Sequence, residues 1–369
     1  MSTPTVHQIA FSMIKGITID IANAIIEVVG SEELFFNMSE KELSGISQIN
    51  SKLFTSGYRE SLLDDADKQL DFISKKSIDC KYFTDKNYPA RFQTVPDAPL
   101  LIYSKGDCNL NSKRIISVVG TRHITHYGAD ICSNLVSSIY DEIGDDVVIV
   151  SGLAYGVDVA AHKAALKAGL PTVAVLAHGL DMIYPAAHRQ VAADIIHSNG
   201  AIVTEYGCDT RIHRSNFLSR NRIIAALSDC TIVVESAEKG GALVTAKIAQ
   251  GYGRDVFAYP GRIGDEYSEG CNLLIKKNVA ALITSPSDIA DLMGWKRADR
   301  KPIEKSIFIE LTVDEQHVAD AINSNDGVLL NDLSSITKIP VHKLMSILFE
   351  LEFKGVIRLL PGNRYVKIS

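Results

Sequence analysis

The feature that most constrains the fold is the alternation of short apolar segments with helical ones between about residues 112 and 295. The apolar segments are rich in valine and isoleucine, as in strands that are buried on both faces of a parallel sheet. Helical segments between them predict right-handed βαβ units, and therefore an α/β fold with a Rossmann-like, doubly wound and mostly parallel sheet. The predicted strands are Arg114–Gly120, Val147–Gly152, Pro171–Ala177, Ala201–Glu205, Thr231–Glu235, Asp255–Pro260 and Ala281–Thr284.

The chain has 369 residues, which is longer than one compact core usually accommodates. We therefore expect additional domains before and after this region. Residues 1–64 show apolar residues at helical spacing, which predicts a small helical domain of the helix-hairpin-helix or SAM-like type. Residues 65–295 are predicted to form the extended Rossmann-like domain. The charged segment 296–309 is predicted to be a linker. Residues 310–369 predict three helices and a hairpin around the turn Pro361-Gly362-Asn363, the order of a winged-helix domain.

The roles of the two terminal domains stay open at this stage. In the helical domain, a packing or assembly role is favoured over DNA contact, since acidic residues outnumber basic ones. The winged-helix domain has 6 basic and 8 acidic residues, so a protein-contact or regulatory role is favoured over duplex reading.

Charge and composition narrow the function classes. The formal charge of −6 requires any polyanion site to be a local basic cleft. The sequence shows no secretory leader and no long apolar run, so we expect a cytoplasmic protein without a membrane-spanning segment. The 6 cysteines are widely spaced without a C-x-x-C pair, which predicts no metal site and no disulfide framework.

Glycine-rich turns follow several predicted strands. They are Gly120-Thr121-Arg122, Ser151 to Gly156, Gly240-Gly241-Ala242 and Pro260-Gly261-Arg262. The carboxyl ends of parallel strands share one sheet edge, where glycines and helix N-termini let backbone amides approach an anion. The sequence therefore predicts a phosphate-binding surface along that edge.

A basic stretch supports this surface. Between Arg211 and Arg222 the arginines 211, 214, 220 and 222 occur without an acidic residue, so local ion pairs are disfavoured. Arginine forks suit phosphate, and Phe217 and Tyr155 offer faces on which bases can stack. Acidic residues near the strand ends, such as Asp158 and Glu235, are expected to cap helices or pair with arginines and not to act in catalysis.

The competing hypothesis is an enzyme. Dinucleotide, P-loop, zinc-protease and serine-hydrolase motifs are all absent from the sequence, so no cofactor is expected. A Rossmann-like phosphoribohydrolase acting on nucleoside monophosphates remains the alternative. Its Pro-Gly-Gly-x-Gly-Thr loop has only a partial counterpart in Gly240-Gly241-Ala242.

Several ordered motifs resemble the DprA/Smf (DNA-processing protein A) family over about residues 80–295. They are SVVGTR (117–122), SGLAYGVDVAAHKAAL (151–166), GLDMIYP (179–185), FLSRNRIIAALSD (217–229), GGALVTA (240–246), GRDVFAYPG (253–261) and GCNLLIKKNVAAL (270–282). The resemblance implies a non-enzymatic protein that binds single-stranded DNA through its phosphates. It also implies loading of the RecA recombinase during natural transformation, and a homodimer formed through the Rossmann domain.

Carried onto this chain, the resemblance makes Arg122 the central phosphate ligand, with backbone amides of the glycine-rich loops tracking the strand. The implied single-stranded-DNA site comprises Gly120, Thr121, Arg122, Ser151, Gly152, Gly156, Arg189, Phe217, Arg220, Asn221, Arg222, Gly240, Gly241, Ala242 and Asn272. Two departures from the family pattern are Leu218, where proline is usual, and Ala186, where a basic residue is common. Arg189 or His188 is the candidate replacement for that basic group.

Overall fold

The computed structural model describes residues 3–46, 55–296, 311–322, 327–360 and 362–367. The chain divides into two compact units, Met1–Pro302 and Ile303–Ser369. The predicted linker 296–309 lies outside the described residues except for Lys296. No helix in the described ranges is both long and apolar enough to cross a membrane.

The first unit begins with five helices whose starts follow from their capping residues. The helices are α1 (Val6–Ser12), α2 (Ile19–Val29), α3 (Glu32–Asn37), α4 (Glu40–Ser44) and α5 (Ser56–Lys76). The hydroxyls of Thr5, Thr18, Ser31 and Ser39 each accept a hydrogen bond from a backbone amide in the first turn of α1 to α4. Part of the second predicted helical pair, residues 47–54, lies outside the described residues.

The predicted boundary between residues 64 and 65 does not match the structure, because it falls inside α5. The buried face of α5 continues across it, from Leu62 through Ala66 to Ile73. The distal half of α5 is also attached to the loop after a core strand, where the Cys208 amide donates to Gln69 Oε1 over 2.7 Å. The helical segment and the sheet therefore share one hydrophobic core.

The sheet of the first unit has nine strands in the described ranges. They are β1 (Asp79–Tyr82), β2 (Leu101–Gly106), β3 (Arg114–Val119), β4 (Val147–Ser151), β5 (Thr172–Val175), β6 (Ala201–Thr204), β7 (Cys230–Val233), β8 (Asp255–Ala258) and β9 (Ala281–Leu282), in the order β1-β2-β6-β5-β4-β3-β7-β8-β9. All of the predicted strands are present, and each ends one or two residues earlier than predicted. The sequence interpretation missed β1 and β2, which pair antiparallel and extend the sheet beyond β6.

Helices cover both faces of this sheet. They are α6 (His126–Glu142), α7 (Val157–Ala168), α8 (Arg189–His197), α9 (Arg214–Leu227), α10 (Gly241–Gly251), α11 (Glu269–Lys276) and α12 (Pro286–Leu292). Separate buried clusters lie on the two faces, so the α/β fold with its mostly parallel, doubly wound sheet is confirmed. Strands β4 to β6 extend from β3 in one direction, and β7 to β9 extend in the other. The topological switch point, where ligands bind in open parallel sheets, therefore lies between β3 and β7.

The second unit has the predicted winged-helix architecture. Its elements are α13 (Val313–Ala321), β10 (Val328–Leu329), α14 (Leu330–Thr337), α15 (Val341–Phe353), β11 (Ile357–Leu360) and β12 (Arg364–Lys367). The three helices enclose their own core, which includes Val318, Leu333, Leu344 and Leu351. The two-residue strand β10 joins the β11–β12 hairpin and was not predicted. Pro361 of the predicted turn lies outside the described residues.

Candidate functional site

The loop Gly120-Thr121-Arg122 lies at the switch point and is held from two sides. The Thr121 amide donates to the carbonyl of Glu235, which follows β7, over 2.7 Å. The Thr121 carbonyl accepts from the amide of Val157, the first residue of α7, over 3.1 Å. The loop is therefore rigidly placed between the ends of β3, β4 and β7.

Glu235 also anchors the start of α6, beside the same loop. Its buried carboxylate accepts hydrogen bonds from the Thr125 amide over 2.9 Å and from the Thr125 hydroxyl over 2.6 Å. Thr125 in turn caps α6 by accepting from the Gly128 amide. The sequence interpretation that Glu235 contributes to helix capping matches this geometry.

Arg122 itself projects from this rigid loop into solvent. Its guanidinium carbon lies 5.5 Å from the centre of the Phe217 ring, near the start of α9. None of the described residues forms an ion pair with Arg122. The structure thus brings together the loop after β3 and the aromatic residue of the basic stretch, as the sequence predicted.

The loop after β4 packs directly beneath Arg122. Gly156 has a φ of +77°, and a Cβ there would lie 2.1 Å from the Thr121 carbonyl oxygen. Ser151 is buried and its hydroxyl donates to the Val118 carbonyl over 2.7 Å. The carboxylate of Asp158 accepts from the Ala154 amide over 3.3 Å, and burial raises the pKa of this carboxyl group.

Arg220 differs from its predicted role as a surface phosphate ligand. Its side chain is 3% exposed, and its Nη1 donates to the Gly152 carbonyl over 2.6 Å and to the Val175 carbonyl. A Cβ on Gly152 would lie 2.3 Å from this guanidinium, so a larger residue there would displace the arginine from this position. Arg220 therefore connects the ends of β4 and β5 from below the surface. Burial lowers its pKa, while the Asp158 carboxylate opposes that shift.

Arg222 also differs from the expectation of a free cation. Its Nη2 forms an ion pair with Glu205, and its Nη1 donates to the Asp97 carbonyl. Burial raises the pKa of the Glu205 carboxyl group, and the neighbouring Arg222 guanidinium opposes the rise. This ion pair is half-buried. The Arg222 guanidinium, which was expected to face a phosphate, therefore already has a partner within the protein.

The remaining predicted residues are distributed along the same sheet edge. Arg189 begins α8 and is exposed, whereas His188 is buried with its Nδ1 2.8 Å from the Leu153 carbonyl. This contrast favours Arg189 as the replacement for the basic group missing at Ala186. Asn221 is half-buried, and Gly240 to Ala242 form the start of α10 with Gly241 exposed.

Asn272 closes the loop after β8 and does not project from it. Its side-chain amide accepts from the Gly261 amide over 3.1 Å and donates to the Gly261 carbonyl over 3.0 Å. These two bonds shape the turn in which the exposed Arg262 lies. The predicted site residue is therefore a support for the loop.

Tyr184 is a surface residue that the sequence interpretation did not include in the site. Its exposed ring lies 5.9 Å from the Phe217 ring, although the two residues belong to different crossovers of the sheet. Tyr155, half exposed, packs its edge on His188 with 4.9 Å between ring centres. The Tyr-Pro sequence was a signal for this position, but its proximity to Phe217 depends on the fold.

The doubly wound sheet and the winged-helix unit define the class of protein. It is a Rossmann-like α/β protein with a winged-helix domain after the sheet domain in the chain. A family model described as DNA recombination-mediator protein A matches residues 79–294, and one described as the DprA winged helix domain matches residues 309–363. The chain belongs to the DprA/Smf family of DNA recombination mediators, as its motifs indicated.

Individual relatives agree with this assignment. Protein Smf of Escherichia coli is 34% identical over 291 residues, which cover 76% of this chain and 75% of that protein. DNA processing protein DprA of Streptococcus pneumoniae is 38% identical over 240 residues, which cover 65% of this chain and 81% of the relative.

Solved structures give the same result. The crystal structure of DprA from Streptococcus pneumoniae matches with a TM-score of 0.66 and 30% identity, covering 80% of this chain and 99% of that one. DNA processing protein A from Helicobacter pylori matches with a TM-score of 0.52 and 31% identity over 59% of this chain and 97% of that one. The Helicobacter protein is described as having a unique single-stranded DNA binding mode.

Proposed function

We propose that this protein is a recombination mediator that binds single-stranded DNA non-specifically through its phosphate backbone. The observation that carries the proposal is Arg122, exposed at the topological switch point without an ion-pair partner among the described residues. A guanidinium fixed by a rigid loop binds a phosphate oxygen without a large loss of conformational freedom. The helix N-termini at α7 and α10 add partial positive charge at the same edge.

The aromatic side chains favour a single strand over a duplex. Phe217, Tyr184 and Tyr155 lie at the surface close to the Arg122 loop or to the loop beneath it. Base stacking on such rings contributes about 1–3 kcal/mol per base and needs unpaired bases with exposed faces. Arg220 and Arg222 serve this site as supports for its loops, and Arg122 and Arg189 supply its exposed charge.

The preference for single strands is tested by a gel shift of oligo-dT against duplex DNA of equal length over a salt series. We expect tighter binding to oligo-dT, with an affinity that falls as salt rises by roughly 0.7 log units per log unit of salt for each phosphate contact. Equal affinity for the two DNAs would contradict the proposed mode.

The role of Arg122 is tested by Arg122→Glu beside Lys167→Glu as the matched control. Lys167 is exposed in the last turn of α7, at the end of the helix that lies away from the switch-point edge. The Lys167→Glu variant has the same change of charge as Arg122→Glu. We expect a loss of affinity of at least tenfold in the Arg122 variant, because attraction becomes repulsion at a phosphate. Equal losses in both variants would indicate a general charge effect and remove Arg122 from the site.

We also propose that the bound protein promotes loading of the RecA recombinase during DNA uptake and recombination in the cytoplasm. Support comes from membership in a family of DNA recombination mediators. The test is RecA filament formation on single strands already covered by a single-strand-binding protein, with and without this protein. A filament rate that this protein does not increase would contradict the loading step.

A homodimer formed by the Rossmann unit belongs to the same proposal. The support is β9, an edge strand of the sheet, on which Leu282 is half exposed. Unpaired edge strands are sites at which a second chain can add. Sedimentation equilibrium of the wild type and of Leu282→Lys tests this, with a shift toward monomer expected for the variant.

We propose further that the protein is not an enzyme. Three carboxylates that follow strands of the sheet are engaged within the protein: Glu235 with Thr125, Asp158 with Ala154, and Glu205 with Arg222. This arrangement gives none of them a free position from which to act as acid or base on a ligand. Incubation with nucleoside monophosphates is expected to release no free base.

A further inference from the structure

A second pair of aromatic rings lies beside Arg122 and has no part in the function proposed above. His123, the next residue in the loop after β3, is exposed, and its ring centre lies 6.1 Å from that of the half-buried Tyr267. The two ring planes are inclined by 31°. Tyr267 belongs to the loop between β8 and α11. The His123/Tyr267 pair therefore forms an aromatic surface next to the arginine.

Backbone hydrogen bonds attach both rings to the segment that follows β7. The Glu235 carbonyl accepts from the Thr121 amide over 2.7 Å, and the Thr121 hydroxyl accepts from the His123 amide over 3.1 Å. The amide of the next residue, Ser236, donates to the Tyr267 carbonyl over 2.7 Å. Two consecutive residues thus place the two rings. Because the pair is formed before any ligand arrives, binding to it costs little conformational freedom.

The pair lies across Arg122 from the aromatic residues of the proposed site. Tyr184 follows β5 and is close to Phe217, whereas Tyr267 is bonded to Ser236 beyond β7. In the sheet order β5-β4-β3-β7, the Arg122 loop after β3 lies between these two positions. Three strand spacings separate them by about 14 Å, which is the length of roughly four stacked nucleotides at about 3.4 Å each.

The charges next to Tyr267 suit a base better than a phosphate. The loop between β8 and α11 carries one basic residue, Arg262, and two acidic residues, Asp265 and Glu266, and all three are exposed. The acidic residues are the ones beside Tyr267 in the chain, and their carboxylates repel a phosphate. A base carries no charge, and its face stacks on an aromatic ring whatever its sequence.

We propose that the His123/Tyr267 pair is a second base-stacking platform, so that a single strand crosses Arg122 with its bases stacked on aromatic rings on both sides. The inference rests on the proposed single-stranded-DNA function and adds to it the path of the strand along the sheet edge. The phosphates lie over Arg122, and the bases on the β7 side turn toward Tyr267.

Photo-crosslinking tests the contact directly. The probes are oligo-dT strands in which one thymine, at a different position in each strand, is replaced by 5-iodouracil. Irradiation joins this base to an aromatic side chain stacked on it, and mass spectrometry of the digested complex identifies the residue. We expect crosslinks at Tyr267 or His123 from some positions and at Phe217 or Tyr184 from others. Crosslinks confined to Phe217 and Tyr184 would overturn the second platform.

Matched substitutions measure the contribution of the ring. Tyr267→Leu is expected to weaken oligo-dT binding about fivefold or more, because stacking on one ring is lost, and Tyr267→Phe is expected to bind as the wild type does. Tyr140→Leu is the control, since Tyr140 is also half-buried and lies near the end of α6, about 20 Å along the helix from the site. An unchanged affinity in Tyr267→Leu would exclude the platform.

An abasic oligomer of the same length separates this inference from the proposed function. Arg122→Gln is expected to weaken binding to both oligomers, because it removes a phosphate contact. Tyr267→Leu is expected to weaken binding to oligo-dT alone, because the abasic backbone has no base to stack. An equal loss on both oligomers in Tyr267→Leu would show a disturbed loop and overturn stacking. Failure of the wild type to bind oligo-dT would contradict the proposed function, and this inference with it.

Discussion

At the scale of single residues, arginines that look equivalent in the sequence have different tasks. Arg122 and Arg220 both occur in motifs of the family, but the structure exposes the first and buries the second. The buried guanidinium bonds backbone carbonyls at the ends of two strands, including Gly152, 68 residues away. A cation in that position orients loops, whereas an exposed one neutralises a ligand.

Matched glutamine substitutions separate these two roles. Arg122→Gln is expected to reduce the salt dependence of oligo-dT binding by roughly 0.7 log units per log unit of salt, since one phosphate contact is lost. Arg220→Gln is expected to leave that slope unchanged and to lower the free energy of unfolding by about 2–3 kcal/mol, since charged hydrogen bonds are lost. Salt titrations and urea unfolding measure both. A reduced slope for Arg220→Gln would show that it contacts phosphate directly.

A second prediction at this scale concerns His162 on α7. The side chain is fully buried, with Nδ1 2.7 Å from the Thr172 hydroxyl, and burial lowers its pKa from 6.5 to about 3. Between these pH values the unfolded chain binds a proton that the folded chain does not bind. The free energy of unfolding is therefore expected to fall as pH falls below 6.5, by about 1.4 kcal/mol per pH unit from this group.

The contribution of His162 is isolated by comparing variants. Urea unfolding of His162→Gln at several pH values between about 4.5 and 7 is expected to show a weaker pH dependence than the wild type. His197→Gln is the control, because His197 is exposed at the end of α8. An equal pH dependence in wild type and His162→Gln would mean that this histidine is protonated in the folded protein.

At the scale of elements, α7 shows how one helix joins the loops of two strands. Its N-cap Gly156 and its C-cap Gly169 both have positive φ, of +77° and +73°. A Cβ at Gly156 would meet the Thr121 carbonyl at 2.1 Å, whereas one at Gly169 would meet no atom within 4 Å. The ψ angles differ, however: −127° at Gly156, a conformation that essentially only glycine adopts, and 15° at Gly169, in the left-handed α region, so the two ends of the helix differ in both backbone strain and packing.

Alanine substitutions compare a left-handed glycine in open space with one that is both more strained and closely packed. Gly169→Ala is expected to lower the free energy of unfolding by about 1 kcal/mol, the cost of a left-handed alanine. Gly156→Ala is expected to cost several times as much and to weaken oligo-dT binding, because the Gly120-Thr121-Arg122 loop must move. Urea unfolding and gel shifts measure both effects. Equal costs would show that the loop accommodates the methyl group.

At the scale of the whole molecule, each of the two units has its own hydrophobic core. The helical segment at the start of the chain, in contrast, shares the core of the first unit. Ile9, Phe11 and Phe35 of the helical segment belong to the same buried cluster as Ile102 and Tyr103 of β2. The hydroxyl of Tyr82 in β1 donates to the Glu32 carboxylate of α3 over 2.8 Å. The helices at the start of the chain are therefore part of the first unit.

Truncations test this division. A chain that ends at Pro302 is expected to remain folded and to bind oligo-dT as the full chain does, because no core residue of the first unit is lost. A chain that begins at residue 65 is expected to aggregate, because the cut halves α5 and exposes the apolar side of β1 and β2. Size-exclusion chromatography and circular dichroism measure both. A monodisperse, folded chain from residue 65 would contradict the shared core.

The sequence by itself determined the α/β class, the order of the predicted strands, the winged-helix elements and the family. These features depend on apolar periodicity and on glycine and proline at turns, which act within a few residues along the chain. The same local signals predicted the Gly120-Thr121-Arg122 turn directly after a strand, and therefore an arginine close to the strand ends.

Only the tertiary structure decided which side chains reach the surface. The burial of Arg220, the pairing of Arg222 with Glu205 and the proximity of Tyr184 to Phe217 all join residues from different crossovers. The addition of β1 and β2 and the continuity of α5 past residue 64 also depend on contacts between distant segments. Burial and ion pairing are properties of neighbours in space, and no local pattern in the sequence specifies them.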